Sequence, residues 1–255
     1  MSDELNPYET PKTIEQSTEV RQLKPTLNQP MVNTKFFGVL SRVLLGVFFV
    51  QCLIIAIWDL KLANEYETTE EYEGLAFLDF DQMMALDDSY LVLFIGAILS
   101  VAFWKYKSMQ NAWAMMRSGM RPTVSPGWAV AWYIIPIASM WKPFTAMSEI
   151  NENSTDDPKK LKFWLGFWWL FWLVGSVMGR VGNNEEGYAD AGDLQYEAVN
   201  LLIMGLAAVF LERIICTITG EQMAELEKRR KRVKQAQEDV EVSGGSSVDP
   251  PNLNT

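Results

Sequence analysis

Five long apolar runs alternate with polar segments of opposite charge, and no other feature restricts the possible folds as tightly. The segment Asp59–Ser89 holds ten acidic residues and one basic residue, Lys61, whereas Lys105–Gly127 holds four basic residues and no acidic one. Short cytoplasmic loops of membrane proteins keep Lys and Arg. The pattern therefore predicts an all-α integral membrane protein, with basic loops on the cytoplasmic side and acidic loops on the other.

The runs differ in length. Phe36–Trp58 covers 23 residues, about 34 Å of helix at ~1.5 Å per residue, enough to cross a hydrocarbon core of ~30 Å. Tyr90–Trp104 has 15 residues and becomes long enough by recruiting Met83–Ser89 or continuing toward Tyr106. Trp58 and Trp104 end their runs as interfacial anchors do. Trp128–Trp141 is shorter still and contains Pro136, which suits a re-entrant or interfacial segment. Basic groups flank it on both sides: Lys105, Lys107, Arg117 and Arg121 before it, Lys142, Lys159, Lys160 and Lys162 after it. Entry and exit on the cytoplasmic side keep all of them inside. A short Pro-kinked span is the alternative, and it would reverse every later segment. The fourth run, Phe163–Met178, is crowded with aromatic rings, and Gly175 and Gly179 form a GxxxG pair that lets a neighbouring helix approach closely. The fifth, Ala198–Ile218, follows a second acidic segment, Gly182–Glu197, and is interrupted by Glu212 and Arg213.

The predicted fold is thus four transmembrane helices plus one short Pro-containing re-entrant or interfacial apolar segment. Residues 1–35 read as a disordered cytoplasmic tail, 36–220 as the helical membrane domain, and 221–255 as a charged cytoplasmic helix with a disordered end. Both termini lie on the cytoplasmic side.

Composition removes several functions. The chain has no His, which excludes a His-based triad, His-ligated zinc and a haem His ligand; no residue pattern implies a cofactor or a metal. A net charge of −10 disfavours nucleic acid. Cys52 and Cys216 sit at depths that differ by roughly 15–20 Å along their helices, too far for a disulfide. The acidic pairs Asp79/Asp81 and Asp87/Asp88 lack the spacing and turn Gly of a calcium loop and read as solvated surface.

The most distinctive string is Ser125–Ile150. It runs through Pro126-Gly127-Trp128, Trp132-Tyr133, Ile135-Pro136-Ile137, Trp141-Lys142-Pro143, Ala146-Met147 and Glu149-Ile150. In these motifs, and in the stretches Trp104…Asn111 and Arg213-Ile214…Gln222, residues 36–225 resemble a family of bacterial membrane proteins known as domain of unknown function 4328. The resemblance implies a multi-pass protein of the bacterial cytoplasmic membrane. It implies no reaction. Ser139 stands where the family pattern has Asn, which weakens a polar role there.

Physically, Trp128 and Trp132 share a helix face one turn apart. Pro136 interrupts the helix, and backbone groups it frees at membrane depth need protein partners or a water-filled cavity. Lys142 can snorkel to the interface. Pro143 starts a helix with Phe144, Met147 and Ile150 on one side and Glu149 off it. The plain reading is an aromatic anchor sealing the cytoplasmic side; the functional one is a broken element lining a pocket for a small molecule or lipid.

Two further sets stand out. Arg42 and Glu212 lie at similar depth on different spans, which predicts an intramembrane ion pair or two separately snorkelling side chains. Lys228, Arg229, Arg230, Lys231 and Arg232 form a juxtamembrane cluster of the kind that contacts anionic lipid headgroups. Together these features predict a non-enzymatic membrane scaffold or sensor that contacts the lipid bilayer or a protein partner. A small transporter or channel with a pocket around Pro136 is the alternative.

Overall fold

A computed structural model describes residues 30–68, 80–119, 121–181 and 191–244. The described residues are mostly helical, with no strand among them. Helix α1 is Lys35–Thr68, α2 is Phe80–Met115, α3 is Pro126–Ala131, α4 is Lys142–Ser154, α5 is Lys159–Val181 and α6 is Ala191–Gly244, with a short 3-10 turn at Ala138–Met140. Four of these, α1, α2, α5 and α6, are long and apolar enough to cross a membrane. The helices are longer than the apolar runs that predict them. Asp59, placed at the edge of an acidic loop by the sequence, lies within α1 and is buried. Likewise α2 continues through Lys105 to Met115, and Lys105 is an interior residue. Much of each predicted loop is helix because backbone hydrogen bonding, once begun, propagates past the hydropathy boundary. The predicted domain division at 220/221 falls inside the single helix α6.

Around the bundle, α1 packs on both α2 and α6, α6 packs on α5, and α4 bridges α5 and α2. Close approach occurs where a side chain is missing. A Cβ on Gly38 would stand 2.7 Å from Thr219 Oγ1, and one on Gly175 would stand 2.5 Å from Met204 Sδ. The GxxxG face of α5 therefore seats against α6, with Gly179 beside Asn200. Apolar side chains such as Val43, Val92, Leu170 and Val177 point outward, as a lipid-facing surface requires.

The two flanks of the broken apolar segment meet at one end of the bundle, as three ties show. Ser118 Oγ donates to Asn153 Oδ1 at 2.7 Å, Arg117 donates to the Ser154 carbonyl at 3.0 Å, and the Val124 N–H donates to Glu149 Oε2 at 3.0 Å. Arg117 also pairs with Asp156, Glu221 and Glu225, which joins α6 to the same end. Residues before and after the broken apolar segment therefore share one side.

A buried amide network closes this end. Asn111 accepts from the Val32 N–H at 2.8 Å and donates to the Val32 carbonyl at 2.9 Å. It also donates to Gln222 Oε1 at 3.1 Å. Gln222 in turn donates to the Ser108 carbonyl and to Ser154 Oγ. Residues 30–34, read from the sequence as part of a disordered tail, are held on the bundle because Asn111 satisfies both backbone groups of Val32 as a strand partner would.

A broken segment beside an intramembrane cavity

Residues 126–141 form a helix of barely two turns, a run of turns and the 3-10 turn. Ser125 precedes the helix and Pro126 occupies its first turn, where the missing N–H costs nothing. Gly127 follows it, and a Cβ there would meet open space. Trp128 and Trp132 stack at 4.5 Å with an interplanar angle of 29°. Lys142 Nζ lies 5.5 Å above the Trp132 ring, so its charge rests on an aromatic face. Trp128, Ile137 and Trp141 are exposed, an apolar outer surface suited to lipid, and Ile134, exposed as well, also borders the cavity.

Ser139 corrects the sequence expectation of a weak polar role. Its hydroxyl donates to the Pro136 carbonyl at 2.6 Å, and its N–H donates to the Ile135 carbonyl at 2.7 Å. A short side chain three residues after Pro136 thus satisfies the broken backbone locally. Pro143 begins α4 and is buried with Met147 and Ile150. Glu149 is a clasp: one carboxylate oxygen accepts from the Thr123 hydroxyl and the other from the Val124 N–H. It fixes the entrance of the segment to its exit.

The inner face of the segment lines a cavity of about 500 Å³. Leu45 and Phe48 of α1, Phe94, Ala97 and Lys105 of α2, Val130, Tyr133 and Ile134 of the segment, Trp168 and Trp172 of α5, and Met204 and Ala208 of α6 contribute to its wall. The volume lies in the range of sites for small organic ligands, ~300–1,000 Å³. Among the lining residues only Lys105, Tyr133 and the two indoles carry side-chain polar hydrogens.

Lys105 is fully buried. Its ammonium donates to the Tyr133 hydroxyl at 3.1 Å and to the Pro143 carbonyl at 3.0 Å, and stands 4.6 Å from the Tyr133 ring centroid. No salt bridge to Lys105 occurs among the described residues. A buried charge costs much unless hydrogen-bonded or paired, so two neutral oxygens and a ring face carry this one. Tyr133 is itself held edge-on by Trp172 at 6.0 Å. The sequence reading counted Lys105 only as a loop cation. Phe94, Ala97, Ile98 and Val101 precede Lys105 at helical spacing, and the face continues through Ser108, Met109 and Ala112; that spacing puts Lys105 on the apolar face of α2 without saying what covers it.

The other candidates fall in separate places. Arg42 Nε and Glu212 Oε1 meet at 2.5 Å, with side chains 41% and 31% exposed, so the structure brings this pair together on an outer face of α1 and α6. Next to it, Arg213 lies over Trp164 at 6.0 Å. In the basic cluster, Lys228, Arg230, Lys231 and Arg232 are exposed on α6. Arg229 is engaged: it bonds to Glu225 and donates to the Ala114 carbonyl at 3.1 Å. Cys52 and Cys216 are free thiols. Asp79 lies outside the described residues, and no metal-binding cluster occurs among those described.

A family profile described as a domain of unknown function (DUF4328) matches residues 83–219, slightly more than half of the chain. It takes in α2, the broken segment, α4, α5 and the apolar part of α6. No curated protein and no solved structure matches the chain.

Proposed function

Because the chain belongs to the DUF4328 family, which is defined without an activity, its function has to be argued from its own residues, and we propose that it is a non-enzymatic membrane protein that binds one amphiphilic molecule in the intramembrane cavity. The cavity beside the broken segment carries this reading. Its wall joins all four long helices to the segment, so an occupant would touch every element that sets the bundle's geometry. Such a molecule biases whichever packing it fits better, and a scaffold or sensor follows from that. The apolar lining favours retention over passage, because a transport route needs polar groups that continue toward water.

We read the protein as one of a bacterial cytoplasmic membrane, and the loop charges support having both termini inside. The four exposed cations on α6 are suited to anionic headgroups. The exposed stretch of α6 that follows offers a protein partner a polar helix face.

Filling the cavity tests the reading. Protein purified in lipid nanodiscs should retain one amphiphile per chain by native mass spectrometry. Ala208→Phe should abolish retention while circular dichroism still reports the helical fold. Equal retention by a folded, filled variant would refute occupancy of this cavity.

A further inference from the structure

The cavity has a direction. From Lys105 to Phe94 the lining descends eleven residues along α2, roughly 16 Å at ~1.5 Å per residue. Lys105 and the Tyr133 hydroxyl meet at one end of it, beside the Pro143 carbonyl. The rest is Phe94, Ile98, Leu45, Phe48, Met204 and their neighbours. A ligand matched to this cavity has a compact polar head near the interface and an apolar body directed into the membrane.

The head can be specified from donor chemistry. An ammonium has three N–H donors and no acceptor. Lys105 spends one on the Tyr133 hydroxyl and one on the Pro143 carbonyl, leaving one. Tyr133 accepts from Lys105 through its oxygen, leaving its own O–H to donate. Two adjacent donors, one of them cationic, suit the two oxygens of a carboxylate, which is acceptor-only when ionised. A phosphate brings more oxygens than these two donors satisfy, and an alcohol leaves the cation without a counter-charge. An entering carboxylate would also neutralise a buried ammonium that otherwise rests on neutral groups.

We infer that Lys105 and Tyr133 form the head-binding site for a single-chain fatty acid, with the acyl chain in the cavity. This rests on the proposal that the cavity binds an amphiphile, and it adds the ligand's class and the residues that select it.

Binding of tritiated palmitate, cetyl alcohol and palmitoyl lysophosphatidate to the full chain in nanodiscs separates the outcomes. The native protein should prefer palmitate over cetyl alcohol by about tenfold or more, the scale of a charge-assisted hydrogen bond. Lys105→Met should remove that preference and leave cetyl alcohol binding within about twofold, since only the head contact is lost. Tyr133→Phe, which keeps the ring and removes only the hydroxyl, should weaken palmitate selectively and serves if Lys105→Met does not fold. Equal binding of palmitate and cetyl alcohol, both abolished by Ala208→Phe, would overturn the carboxylate site and leave the cavity reading standing. Preference for lysophosphatidate would overturn it in favour of a phosphate head. Binding of none of the three would overturn the fatty-acid assignment, and it would refute the cavity reading as well if native mass spectrometry also finds no retained amphiphile.

Discussion

Gln222 is fully buried and ties α6 to α2 and to the end of α4. Its Nε2 donates to the Ser108 carbonyl at 2.9 Å and to Ser154 Oγ at 2.8 Å, and its Oε1 accepts from Asn111 Nδ2 at 3.1 Å. The Thr34 hydroxyl stands at 3.5 Å, too far to count for much. Gln222→Leu roughly conserves volume, so the cavity contribution is small and the loss is polar. Three hydrogen bonds at ~1 kcal/mol net each predict a destabilisation of about 3 kcal/mol, toward 4 if Asn111 is left without a partner. The exposed Lys160–Asp157 pair, at 3.9 Å, provides the contrast: Asp157→Asn should change stability by less than ~0.5 kcal/mol. Gln222→Glu sharpens the test, because it sets an oxygen against the Ser108 carbonyl and buries a charge, and it should cost more than leucine. The assay is reversible unfolding in mixed micelles with rising dodecyl sulfate, followed by tryptophan fluorescence. A Gln222→Leu cost below about 1 kcal/mol would show that this amide network does not close the bundle as argued. Glutamate tolerated better than leucine would show that the contact with the Ser108 carbonyl does not carry the network as argued.

Gly38→Ala should destabilise by ~1–3 kcal/mol, since the new methyl meets the stiff, branched Thr219. Gly175→Ala should cost less, because the far end of Met204 can move; the same unfolding assay ranks the two, and a reversed order would contradict the packing. In a double-mutant cycle on Arg42 and Glu212, Arg42→Ala and Glu212→Ala should couple by ~0.5–2 kcal/mol, and additivity within error would rule out an energetic role for the pair. Single cysteines at Ser118 and Glu152 in a Cys-less chain should react with an impermeant maleimide from one side of the membrane. Cysteines at Thr69 and Asn184, which lie outside the described residues, should react from the other side. Opposite-side labelling of Ser118 and Glu152 would mean that Trp128–Trp141 crosses.

The four long helices and the break between the second and third of them were legible in the sequence. Run length and loop charge obey a rule that each segment meets alone: a helix either spans the hydrocarbon with its backbone satisfied or it does not. Pro136, within a run too short to cross, announced the break for the same local reason. The resemblance carried by Trp104…Asn111 and Arg213…Gln222 pointed at the right stretches without their use, which is to meet: Trp104 Nε1 donates to Thr219 at 2.8 Å and Asn111 donates to Gln222. Ser139 was misjudged by comparison with a pattern, when its task was set by the Pro136 carbonyl three residues away. A pocket beside the broken segment was an expectation of the sequence, but its shape and its cation were decided by tertiary structure. Lys105 looks like any basic residue after an apolar run until α4 brings the Pro143 carbonyl and the broken segment brings Tyr133 over it. Hydropathy records what each residue prefers as solvent. Whether a lysine reaches water or is enclosed depends on which distant segments cover it, and that depends on how helices pack, information no single stretch of the chain contains.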